Sequence, residues 1–519
     1  MTNDKPAAWT IDRRTLLKGA AAASGAMMLP GAAIAQGTPR RGGTLRLSMP
    51  FNPAAVDPMT GRNLPDFNTL YAIYDALIDF VPATLELRPG LAKAWKFTDQ
   101  TTLVLDLVEG VTFHDGTPFN PEAVKINLER YKNDARSNVK ADLGAVETVE
   151  VSGPNQVTLK LNRPNAGLPV MLTNRIGLMV SPKSIAEKGP NLDRVAVGTG
   201  PFKLVDWQDN SSIKLVRNEN YWQKDLPYLD GIDIRIINEL NTSARTVIAG
   251  ESDVALNLQP PQKAIAERAS GIDIRTIPSL IFFGAFLNYG NGPLKDKRIR
   301  QALNYAIDRD EINKIIALGL GQASSVILPK EHWANDPATA NYYKHDIAKA
   351  KALLAEAGHP NGIELVAWGW ADQTAMQRQE LIMAQLAKAG IRLKLTPVAP
   401  QQAMQNFMLE TKGDMLISPT GGFPDPTQAY EALFSKSALR NAGKIELPGY
   451  RELLDATMTA SNQEDRKAAF AKLQRFVTEE ALQLVQYVAS GVTLVRQNVQ
   501  NFEENMLTTP KFTRVWLKS

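Results

Sequence analysis

A change of texture near residue 284, reversed near residue 491, constrains the fold of this chain more than any other feature. Before it, short period-two segments dominate and read as strands: residues 42–49, Leu103–Leu107, Gln156–Leu161, Phe202–Val205, Ile213–Val216 and Ile232–Ile236. Two helices interrupt them. One is read over Leu70–Phe80; the other runs to Tyr131, with Asn120 as cap and Pro121 at its first position. Ile281–Tyr289 is extended and aromatic. Helix and strand then alternate: helices over Asp296–Ala306, from Asp308 to Leu318, Asp346–Ala357 and Thr374–Ala389, with strands over Ile363–Ala367, Ile391–Leu395 and Asp414–Ser418. From Gly491 strand texture returns, in Val492–Val495 and Thr513–Leu517. A chain that leaves one lobe, builds a second and comes home crosses between them at least twice. Two crossings act as a hinge, and a cleft between lobes is where small ligands bind.

The N-terminus reads as an export leader over residues 1–35. Arg13-Arg14 precede Leu16-Leu17-Lys18, a short apolar run extends to Leu29, and Ala33-Ile34-Ala35 offers a small-x-small cleavage site. The run is too short to span a bilayer, and the arginine pair resembles a twin-arginine signal, so a periplasmic location is expected. Cleavage leaves roughly 480 residues, more than one hydrophobic core accommodates. The chain has no cysteine. That excludes disulfides, thiolate metal sites, cysteine nucleophiles and a lipid-modified anchor. The formal charge is +4, half of it in the leader, where Lys5, Arg13, Arg14 and Lys18 face Asp4 and Asp12. No basic stripe with interleaved aromatics points to nucleic acid.

Four blocks carry a family resemblance. Val111-Thr112-Phe113-His114-Asp115-Gly116-Thr117-Pro118-Phe119-Asn120 is one and Val197-Gly198-Thr199-Gly200-Pro201-Phe202-Lys203-Leu204 a second. Asn218–Trp222 with Pro227–Ile232 form a third, and Arg298–Arg309 a fourth. Together and in this order they resemble the peptide-type (family 5) extracellular solute-binding proteins of ABC importers. The resemblance implies an α/β, two-lobe periplasmic-binding-protein fold (type II, cluster C) with an extra small domain in the first lobe. On that layout lobe I comprises 42–283 plus 491–519, with the extra subdomain at about 70–180, and lobe II comprises 284–490. It further implies capture of a small solute (a peptide, a peptide-like compound, an opine or another amine or hydroxylated compound) and its delivery to an ABC permease in the inner membrane. No cofactor, no metal and a monomer are expected.

Each candidate contact residue has a structural reading beside the functional one. Asp425, in Gly421-Gly422-Phe423-Pro424-Asp425-Pro426, either pairs with a ligand amine, as in peptide-binding relatives, or caps the helix that Pro426 opens. Peptide-binding relatives carry a carboxylate-gripping arginine near Ala367–Asp372, where this sequence has Trp368, Trp370 and Asp372. The tryptophans either stack on a ligand or pack in the core, and Asp372 either favours a cation or caps a helix. Arg378, one turn into the helix, is read as pointing elsewhere. Phe423, in the Asp425 motif, is a further candidate. The family layout alone brings in Phe51 and Asn52 after the first strand, and Asn174 and Arg175 in a cleft-facing loop, where Arg175 is the candidate to replace the missing carboxylate partner. Asn288 and Tyr289, also from that layout, are placed at the lobe crossing. His114-Asp115-Gly116 and Gly198-Thr199-Gly200 are read as turns.

The rival reading is a secreted hydrolase using a carboxylate pair, which leaves little sequence trace. The chain has no Gly-x-Ser-x-Gly and no His-Glu-x-x-His.

Overall fold

The computed structural model describes residues 38–61, 64–460 and 462–518. The leader assigned to 1–35 lies outside the described residues. Residues 40–519 form one compact unit.

Its backbone is one eleven-stranded mixed sheet. The strands are β1 (Thr44–Met49), β2 (Phe202–Gln208), β3 (Ser212–Arg217), β4 (Gly231–Ile236) and β5 (Val254–Leu258). They continue with β6 (Ile272–Leu287), β7 (Ile363–Trp370), β8 (Ile391–Val398), β9 (Met415–Thr420) and β10 (Gln483–Arg496). Their order is β8-β7-β9-β6-β10-β5-β1-β4-β3-β2, and the short strand Gln322–Ala323 pairs with β10 off this path. β6 and β10 are long and run through the middle. They pair antiparallel in two stretches: Ile272–Pro278 against Ser490–Arg496, then Phe282–Phe286 against Gln483–Val488, with register shifts between Pro278 and Phe282 and between Phe283 and Gly284. On one side β10 pairs with β5; on the other β6 pairs with β9.

Separate cores flank this crossing. One gathers Phe282, Ile382, Ile417, Tyr430, Phe470 and Val488 on the β7–β9 side. Another gathers Leu45, Ile73, Phe202, Ile232 and Val495 on the β1–β4 side. A third lies under a four-stranded sheet of Ala92–Asp99, Thr102–Leu107, Gln156–Leu161 and Val146–Gly153. The helix α2 (Pro121–Asn133) also packs there, capped by the Asn120 side chain on Ala123 N.

One expected element differs. The helix read over Leu70–Phe80 is α1 (Leu64–Ile73), and Ile78–Phe80 is a strand paired with Leu87–Pro89. Gly200 N donates to the Ile73 carbonyl at 2.9 Å. A side chain at either Gly198 or Gly200 would run into the Ile73 backbone. The Gly-Thr-Gly turn therefore holds the end of α1. His114-Asp115-Gly116 is likewise structural. His114 Nε2 contacts the Gly200 carbonyl at 2.9 Å, and Asp115 accepts from the Ser181 hydroxyl at 2.6 Å.

Candidate functional site

The two sides of the sheet touch beside Asp425. Asp425 sits at the N-terminus of α4 (Pro426–Phe434) and accepts from Thr427 N at 2.9 Å. Its carboxylate is buried and pairs with Arg466, from α5 (Gln463–Glu479), at 2.8 Å. Gly167, from the segment after Gln156–Leu161, packs directly on that carboxylate; a Cβ there would stand 2.8 Å from the Asp425 carboxyl carbon. Two hydrogen bonds cross the same junction: Ala166 N to the Met458 carbonyl at 2.9 Å, and Gln428 Nε2 to Asp142 Oδ1 at 2.9 Å. Behind Asp142 lies Arg175, whose guanidinium is pushed down by burial and supported by the charges of Asp142 and Asp66. Burial also raises the Asp142 carboxyl, against the pull of Arg175 and Gln428. Hydrogen bonds of Gln428 thus link Asp425 to Asp142 across the junction, and Arg175 acts on Asp142 through its charge.

Next to it is a cavity of about 560 Å³. Trp95, Phe97 and Ala166 line one wall, and Trp333, Met458 and Arg466 the other. That volume falls within the range of small-molecule sites. Sequence reasoning missed this wall pair, because Trp95 and Trp333 are distant in the chain and each reads as ordinary packing.

A second group collects where β6 and β10 cross. Phe283 and Tyr487 are partners across the ladder, and their rings stack at 4.8 Å with a 16° interplanar angle. Arg378, from α3 (Gln373–Lys388), lies over Phe283 with its Cζ 4.5 Å from the ring centre. The sequence reads it as pointing elsewhere; its side chain is among the largest fully buried ones and lies at this crossing. Trp370 ends β7 with its indole N–H buried and without a partner. Phe423, partly buried, stands beneath Arg440, whose Cζ is 5.2 Å from its ring centre.

Several expected residues do not join these groups. Asp372 caps α3 through Ala375 N at 2.9 Å and is exposed, and Trp368 spends its indole N–H on the Lys412 carbonyl at 2.8 Å. Asn174 caps the turn Arg175–Gly177. Asn52 belongs to a surface cluster, accepting from Trp207 Nε1 at 3.1 Å and donating to Asp209 at 2.9 Å, and Phe51 beside it is 61% exposed. Asn288 and Tyr289, expected at the crossing, lie past the far end of β6. There Asn288 N donates to the Asp414 carbonyl at 2.8 Å and Tyr289 packs 5.9 Å from Arg300. They stand five and six residues past Phe283, and Tyr289 is buried in the β7–β9 core.

Among the described residues, no group of three or more His, Asp or Glu side chains is arranged to hold a metal, and no helix is long and apolar enough to cross a membrane.

Comparison with known proteins agrees with this architecture. Residues 86–441 match the middle region of the bacterial extracellular solute-binding proteins, family 5. The glutathione-binding protein GsiB of Escherichia coli O1:K1 is 31% identical over 372 residues, 70% of each chain. Among solved structures, the periplasmic binding protein DppA of Helicobacter pylori, in complex with the peptide STSA, superposes with a TM-score of 0.79 at 23% identity, covering 92% of this chain and 99% of that one. HbpA2 of Haemophilus parasuis superposes at 0.82 with 23% identity, covering 92% of this chain and 100% of that one. These structural likenesses establish a type II periplasmic-binding-protein fold. The hydrolase alternative finds no support among these relatives.

Proposed function

Since the chain belongs to the bacterial extracellular solute-binding proteins of family 5, we propose that it is the periplasmic receptor of an ABC importer for a peptide-like solute, exported by its twin-arginine-like leader. Residues 42–283 with 491–519 form one lobe and 284–490 the other, and the solute is held between them and passed on chemically unaltered. The observation that carries this reading is the double crossing by β6 and β10. The two strands change register together at the point where they pass from one core to the next, which is where a hinge between rigid bodies belongs. The cavity between Trp95 and Trp333, beside the Asp425–Arg466 pair, supports it. Because Arg466 already occupies the Asp425 carboxylate, Asp425 acts on a ligand through the junction rather than by gripping an amine alone. Trp370, Phe423 and Arg175 remain the contact residues proposed at the rim. A ligand that touches both lobes adds its binding energy to the closed form, so closure is a shift of population.

The test is small-angle scattering and calorimetry with glutathione, the peptides Met-Leu and Ser-Thr-Ser-Ala, and agropinic acid. Binding with a smaller radius of gyration, and recovery of the unchanged compound by mass spectrometry, is the expected result. Turnover of a bound compound, or binding without compaction, removes the reading.

A further inference from the structure

A separate cavity of about 230 Å³ lies between the chain just after α1, the paired strands Ile78–Phe80 and Leu87–Pro89, the Tyr221-Trp222 pair and the C-terminal segment 501–514. It shares no lining residue with the Trp95–Trp333 cavity, and on the proposed division all of its walls belong to one lobe. Three carboxylates line it, Asp75, Asp79 and Glu503, and three cations, Arg88, Lys511 and Arg514. The lining is balanced overall, but its charges are not all paired. Asp79 is saturated: it accepts from Arg88 Nε at 2.8 Å and from Lys511 Nζ. Glu503 is exposed to solvent.

Asp75 is different. Its Oδ1 accepts from the Tyr221 hydroxyl at 2.9 Å, and its Oδ2 from Trp222 Nε1 at 2.7 Å and the Thr199 hydroxyl at 3.3 Å. All three donors are neutral, and Asp75 forms no ion pair among the described residues. Burial pushes its carboxyl up to about 6, against the pull of the Trp222 and Tyr221 bonds. A carboxylate drawn out of water without a cation is costly, and the two cations nearest in the chain's own set are spent on Asp79. Arg514 is the complementary case. It is exposed at the cavity, forms no ion pair among the described residues, and its charge acts on the Tyr221 hydroxyl, the group that binds Asp75. An unpaired anion and an unpaired cation thus flank one hydroxyl without meeting each other.

We propose that this cavity is a binding site separate from the cleft, for a small zwitterion of the amino-acid class, with its ammonium on Asp75 and its carboxylate on Arg514. The Tyr221 and Trp222 rings, 5.9 Å apart, line the wall beside Asp75 and give the ammonium an aromatic contact. The planar fork of Arg514 suits a carboxylate. The volume is below that of sites for drug-sized ligands, so the occupant is smaller than those. Neither charge alone suits the cavity: a bare amine meets Arg88, Lys511 and Arg514, and a bare anion meets Asp75 and Glu503.

The test uses the intact protein with glycine, L-serine and L-glutamine, each beside its amide, which lacks the carboxylate, and its N-acetyl form, which lacks the ammonium. Calorimetry is expected to show at least one of the three binding at least tenfold more tightly than both of its derivatives. Scattering is expected to show no change in radius of gyration on that binding, because the walls stay within one lobe. Asp75→Asn and Arg514→Gln should each weaken it at least fivefold. Arg514 is exposed, so its variant folds and tests the site even where Asp75→Asn disturbs the Tyr221 and Trp222 bonds. No binding of any of the three, derivatives within twofold of the parent, or affinity within twofold of native in Arg514→Gln overturns the proposal. Binding accompanied by compaction places the amino acid in the cleft and overturns it as well, while leaving the solute-binding reading intact.

Discussion

Asp57 and Asp425 are both buried carboxylates facing an arginine, and they do different jobs. Asp57 pairs with Arg130 of α2, with one contact at 3.0 Å, and also accepts from Met59 N at 3.1 Å. Every atom in that set comes from residues 57–130, so on the proposed division into two lobes the pair stays intact whatever the lobes do. Asp425 makes the same kind of set with Arg466 and Thr427 N, but its outer face is closed by Gly167, which the proposed division puts in the other lobe. Opening the lobes would hydrate that face. The chemistry of a buried ion pair therefore does not reveal its role; what closes over it does.

The first and largest break in this comparison is Asp57→Ala. It leaves the Arg130 guanidinium buried and unpaired, which costs about 3–5 kcal/mol. Urea unfolding should show that loss, with the binding affinity of the surviving folded protein unchanged. Next comes acid. His332 beside the Asp425–Arg466 pair and His114 beside the Gly200 carbonyl are both held down to about 4 by burial. A ring whose folded pKa lies below its unfolded value near 6.5 contributes stability that is complete above 6.5 and lost as pH falls toward 4. At pH 5 each should cost on the order of 2 kcal/mol relative to pH 8. His332→Gln should halve the acid loss seen in urea titrations. An unchanged slope would mean that His332 is hydrated through the junction.

Much of the architecture was legible because local chemistry and the fold agree. Asn120, with Pro121 behind it, and Asp308 cap the helices they were expected to cap, Asp372 takes the cap that was one of its two readings, and the helix expected from Asp346 is capped by that residue. The texture change near 284 falls within β6, and its return near 491 within β10. Leu70–Phe80 misled because a short apolar run reads equally as helix or strand. What decides it is Gly198–Gly200 packing on the Ile73 backbone, from far along the chain. The site was less legible for the same reason. Arg378 sits at an ordinary helical position, and only the assembled sheet shows Phe283 under it and no carboxylate beside it. The Trp95–Trp333 cavity exists only once segments far apart in the chain meet.

Gly167→Ala sharpens the comparison at the junction itself. The added methyl meets the Asp425 carboxylate and the Arg466 guanidinium, a contact of about 3 Å at most that overpacking data price at about 1–3 kcal/mol. Only the closed arrangement bears that cost. Scattering without ligand should report a larger radius of gyration, and the solute affinity should fall up to about tenfold, with the urea midpoint close to native. A drop in stability with no change in size would place Gly167 in a rigid contact and dissolve the distinction between the two pairs.

The smallest effect belongs to Phe51, beside Asn52. The Asn52 amide ties Trp207, Asp209 and Asn210 together, so its loss strands several partners at once. Phe51 is 61% exposed and contributes to no buried core. Phe51→Ala should therefore stay within about 0.5 kcal/mol of native stability. Its effect on affinity separates two geometries. If the ring stays in solvent when the lobes close, calorimetry finds native affinity. A loss of tenfold or more would mean that closure brings a ligand, or the opposite lobe, against this loop, and that the cleft extends from the Asp425 junction to the end of β1.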